Sequence, residues 1–132
     1  MRGIYREQRR CAYGRTPPGI HGRSDFTRIH LAFWKIHILH HAGERPIYGQ
    51  WLLEELRRHG FAVSPGTLYP LLARMEHQGW LRAGRRAMAT ASPKARREYV
   101  LTSKGARALA GLRRQVEELH REVVQDAKRK RG

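Results

Sequence analysis

Between Asp25 and Gly79 apolar residues recur three and four apart, and Ala42-Gly43, Gly60 and Gly79 cut the pattern into three. That periodicity and that punctuation admit three short helices with apolar faces and exclude a strand-rich fold for this stretch. Asp25 is a good N-cap for the first helix. Ile29, Ala32, Phe33, Ile36 and Leu39 follow on one stripe, with Leu31, Trp34 and Ile38 on a second. Two apolar stripes predict a helix buried on two sides. Pro46 stands where the first turn of the next helix tolerates a missing N–H, and Ile47, Trp51, Leu52 and Leu56 carry that helix to Gly60. Ser64 caps the third, Pro65 fits its first position, and Leu68, Leu71, Leu72 and Met75 repeat at helical spacing. Pro70 would clash deep inside a helix, so regular helix is expected to start near Gly66–Thr67, with Pro70 in its first turn.

Beyond Gly79 the period changes. Trp80-Leu81-Arg82 and Arg97–Leu101 read as short strands, joined by the basic, Gly- and Pro-containing stretch Ala83–Arg96. Two strands around such a loop make a β-wing. Thr102 then caps a long final helix in which Leu109, Leu112, Val116, Leu119 and Val123 fall at alternating spacings of three and four. A seam this narrow and regular suits pairing with a partner helix better than packing on the chain's own core. The expected fold class is mainly α with a small β-wing, a winged helix-turn-helix followed by a dimerisation helix. The expected organisation is a basic arm over 1–24, a DNA-binding domain over 25–105 and a dimerisation helix with a basic tail over 106–132.

Charge gives this architecture a partner. Lys and Arg number 27 against 11 Asp and Glu, a formal +16. Six arginines face one acid before Asp25, seven bases face one acid from Leu81 to Gly105, and eight face four after Gly105. The third-helix segment Ser64–Trp80 is neutral. A neutral reading unit flanked by basic segments suits a polyanion, with double-stranded DNA favoured. The major groove admits one helix, and Ser64, Gly66 and Thr67 supply short side chains at the start of such a helix. Arg85, Arg86, Lys94 and Arg96 would lie over the neighbouring backbone, and Arg74 and Arg97 complete the basic set. No apolar run approaches the length of a membrane span. An N-terminus with arginines but no apolar core is not expected to be a secretory signal. A lone cysteine, Cys11, cannot form an internal disulfide and fits a reducing compartment.

Three stretches in this order resemble one family. Gly66-Thr67-Leu68-Tyr69-Pro70-Leu71-Leu72-Ala73-Arg74-Met75-Glu76 followed by Gly79-Trp80-Leu81 is similar to the recognition-helix signature of PadR-type transcriptional regulators. Pro46-Ile47-Tyr48-Gly49 resembles the start of that family's second helix, and Tyr99-Val100-Leu101-Thr102-Ser103-Lys104-Gly105 its wing-to-final-helix junction. The likeness runs from about Ile29 to Val124. It implies a cytoplasmic dimeric repressor on a palindromic operator, with Ser64, Thr67 and Tyr69 facing DNA and the wing bases on phosphates. Gln50 stands where the family usually has an aromatic, and Glu98 where a basic or aromatic residue is common. The short final helix matches the smaller branch of the family.

His37, His40 and His41, with His30 one turn earlier, put several imidazoles on one side of the first helix. No cysteine or acid at ligand spacing joins them, so they read as surface or partly buried histidines, and no metal or cofactor is expected. Trp51 and Trp80 read as core. Trp34 leaves open a small aromatic effector of the kind the resemblance implies, although no aromatic lies between Ala106 and Asp126 to face it. There is no glycine-rich phosphate loop and no nucleophile beside a histidine, so an enzyme is not expected. The rival readings are a basic RNA-binding module and a protein-interaction winged helix. An RNA binder usually pairs exposed aromatics with its bases, whereas these bases flank a capped, neutral helix.

Overall fold

The computed structural model describes residues 23–87 and 97–132, and within them the three helical periods become three helices. In chain order the elements are α1 (Arg23–Glu44), β1 (Ile47–Tyr48), α2 (Gly49–Arg58), α3 (Pro65–His77), β2 (Leu81–Ala87), β3 (Arg97–Leu101) and α4 (Ser103–His120). A widened π-type turn at Arg121–Asp126 leads from α4 into α5 (Ala127–Arg131). Of the basic arm expected over 1–24, residues 1–22 lie outside the described residues, as do the wing residues Lys94 and Arg96, while Arg23 and Ser24 already belong to α1.

The core draws one stripe from each helix. Trp34, Ile38, Leu39 and Ala42 of α1 meet Leu52, Leu53 and Leu56 of α2, Leu68, Leu71, Leu72 and Met75 of α3, and Leu109 of α4. Ile47, Leu81 and Tyr99 close it from the sheet side. The stripe of α1 that starts at Ile29 behaves differently: Ile29 and Phe33 are 46% and 48% exposed, and only its end at Leu39 is buried. A two-sided helix is thus buried on one side only by its own chain.

Four local expectations change. α1 begins at Arg23, two residues before the anticipated cap at Asp25. Ile47 and Tyr48 are strand rather than the first turn of α2, because they pair antiparallel with Tyr99 and Glu98, and helix starts only at Gly49. Pro46 therefore precedes a strand. Pro70 sits in the second turn of α3, whose first residue is Pro65. Its exposed position explains the tolerance: the Gly66 carbonyl that loses an N–H partner there can turn to water. The sheet has three strands in the order β1-β3-β2 instead of two. Its β2 runs on to Ala87, with an irregularity opposite β3 between Ala83 and Ala87.

The joint between α3 and α4 is built from three groups. Gly79 ends α3 at a φ of 82°, a conformation that costs an L side chain but not glycine. Thr102 caps α4, accepting from the Gly105 N–H at 3.0 Å while its hydroxyl donates to the Gly79 carbonyl at 2.5 Å. Lys104 Nζ donates to the Gln78 carbonyl at 2.7 Å. The start of one helix thereby satisfies the carbonyls at the end of the other.

Candidate nucleic-acid interface

With Leu68, Leu71, Leu72 and Met75 fully buried, α3 has one face left. That face shows Gly66, Pro70, Ala73, Arg74 and His77 exposed, with Thr67 half-buried. Most of these side chains are short, so the helix backbone can approach a base edge or a phosphate closely. Ser64 is exposed in extended conformation at the N-cap, but its hydroxyl lies 3.2 Å from Thr67 Oγ1 instead of capping a backbone N–H. The two hydroxyls form a small polar pair at the mouth of the helix. Tyr69 is half-buried and packs against the core, so it faces outward with only part of its surface.

Arg97 has a partner that no local signal announces. Its Nη2 lies 2.6 Å from Glu76 Oε1, and its guanidinium stands 5.8 Å from the centre of the Tyr99 ring. The pair links β3 to the last turn of α3. Glu76 was missed because it is 21 residues away. Arg82 is a further exposed base on β2 that the sequence reading left out. Arg85 and Arg86 lie in the part of β2 where the register against β3 shifts.

The seam of the final helix divides along its length. Leu109 is buried in the chain's own core and Leu112 packs partly against it. Val116, Leu119 and Val123 are 41%, 52% and 60% exposed. Together with Ile29 and Phe33 they are the large apolar side chains left open among the described residues. A groove between α1 and α4, lined by Ile36, His40, Leu109, Arg113 and Val116, continues this surface.

A family model described as the transcriptional regulator PadR-like family matches residues 38–111. Over 90 residues the chain is 49% identical to the transcriptional regulator Rv3488 of Mycobacterium tuberculosis, an alignment covering 68% of this chain and 81% of that protein. Among solved structures, a PadR-like transcriptional regulator from Bacillus cereus superposes with a TM-score of 0.63 at 27% identity, covering 73% of this chain and 92% of the other. A PadR family regulator from Eggerthella lenta gives 0.61 at 28%, covering 77% and 88%.

Proposed function

The chain belongs to the PadR-like family of transcriptional regulators, and from that premise we propose that it is a dimeric repressor that grips a palindromic operator in double-stranded DNA. The observation that carries this reading is the exposed face of α3, a row of short side chains on a helix whose other side is locked in the core. In this reading α3 enters the major groove and Ser64, Gly66, Thr67 and Tyr69 approach base edges. Arg74, Arg85, Arg86, Lys94 and Arg96 neutralise phosphates, and Arg97 steadies the wing from its pairing with Glu76. The exposed residues Val116, Leu119 and Val123 meet a second copy, which sets two recognition helices at a fixed spacing. A cytoplasmic setting follows from the role.

A gel shift on the intergenic DNA upstream of the chain's own reading frame, repeated across salt, tests the proposal. Thr67→Ala should cost about 1–3 kcal/mol of specific affinity with circular dichroism unchanged. Removing Arg85 and Arg86 together should weaken binding to every sequence alike and lower the salt slope by about 0.9 per lost phosphate contact. Salt-insensitive binding, equal preference for RNA, or full operator affinity in Thr67→Ala would overturn it.

A further inference from the structure

The end of α2 returns to α1 at the point where α1 carries its histidines. Ligating atoms of His37, His41 and His59 all lie within 4.8 Å of one another. The His37 ring stacks on His41 at 4.7 Å between centroids and stands 4.8 Å from His59. His37 and His41 are one turn apart on α1, the spacing by which a helix presents two imidazoles to one ion. His59, at the C-cap of α2, brings the third from another element.

A second observation is independent of the spacing. His41 is buried, yet neither of its ring nitrogens has a hydrogen-bond partner. Its Nδ1 lies 3.4 Å from Glu44 and its Nε2 3.7 Å from Glu55, ion-pair distances rather than close hydrogen bonds. An unsatisfied buried polar group is an anomaly that a coordinated ion removes. Glu55 supplies the usual support for such a site. It is buried, Arg58 grips both its oxygens at 2.6 and 3.0 Å, and its Oε1 lies 3.0 Å from His59 Nε2. A carboxylate hydrogen-bonded to a ligating histidine fixes the ring.

We propose that His37, His41 and His59 bind one divalent transition-metal ion of the zinc, cobalt or nickel class, with Glu55 orienting the set. Three imidazoles with a carboxylate nearby suit these borderline ions and not calcium or magnesium, which require oxygen ligands. Zinc requires its nitrogens at ~2.0–2.1 Å, so the stacked rings must rotate on binding. Trp51 meets His41 edge-on and Phe61 meets His37 edge-on, walling the cluster, while His59, 39% exposed, gives the ion its way in. An ion here would pin α1 to the end of α2, just before the turn that leads into α3.

Zinc titration of the full chain by calorimetry should give one ion per chain with micromolar or tighter affinity. His59→Gln and His37→Gln should each weaken it at least tenfold, and Glu55→Gln about 10–100-fold. His120→Gln, on α4, should leave it unchanged. In the unaltered chain, cobalt(II) should broaden the imidazole proton resonances of His37, His41 and His59 before those of the other histidines. This readout needs no variant to fold. No binding, binding that survives the His37→Gln/His59→Gln double variant, or loss on His40→Gln in place of His59→Gln would overturn the site. The last result would move the ion to the outer trio of His40, His41 and Glu44.

Discussion

Glu98 departs from the residue usually found at its strand position, and its surroundings explain what it does there. The carboxylate is buried, and the Tyr48 hydroxyl donates to its Oε2 at 3.0 Å across the β1–β3 pairing. Gly84 on β2 makes room for it, since a Cβ there would fall 2.0 Å from Glu98 Oε1. A buried carboxylate that loses a donor bears most of its desolvation cost, whereas removing both partners can be nearly neutral. Tyr48→Phe should therefore cost about 1–3 kcal/mol in denaturant unfolding. Combining it with Glu98→Met should restore part of that loss. Strictly additive losses in the double variant would show that the pair is not a unit.

At the scale of elements, the joint between α3 and α4 decides where the candidate DNA-reading helix points. Two glycines of α4 make opposite predictions. A Cβ on Gly105 would fall 2.2 Å from the Trp80 carbonyl oxygen and 2.7 Å from Leu101 Cδ1, so Gly105→Ala must push the helix start off the sheet. Overpacking of this kind costs about 1–3 kcal/mol. A Cβ on Gly111 meets nothing within 4 Å, so Gly111→Ala should stabilise the helix by about 0.5–1 kcal/mol. Thermal unfolding of both variants checks the pair: equal shifts would mean that α4 does not lie so close to Trp80. The Arg97–Glu76 contact acts on the same joint from the other side, linking β3 to α3.

For the whole molecule, the open apolar side chains of α1 and of the final helix are the surface on which the proposed second copy would pack. Leu109 and Leu112 belong in part to the chain's own core, so they are poor places to test this. Leu119 and Val123 are more than half exposed, and changing them leaves that core intact. Leu119→Glu with Val123→Glu should convert a dimer into a folded monomer in sedimentation at micromolar concentration, because paired carboxylates in an apolar contact are costly to bury. Operator affinity should fall with it, since two half-sites need two linked recognition helices. A wild-type chain that sediments as a monomer would refute the assembly.

Sequence alone determined what depends on near neighbours. The apolar stripes of α1 to α3, the cap at Thr102, the stop at Gly79 and the two long strands follow from spacing, caps and turn residues, which act within a few positions. The three ordered motifs also carried the family. Tertiary structure decided the rest. Ile47 and Tyr48 are a strand only because β3, some 50 residues on, offers them hydrogen bonds. Half the α1 pattern and half the final seam remain open because one chain has only one core to cover them. His37 and His41 stand at i, i+4 on α1, but His59 and Glu55 reached them only when α2 folded back. Contacts of that kind have no period to read, since no local geometry links the residues that make them.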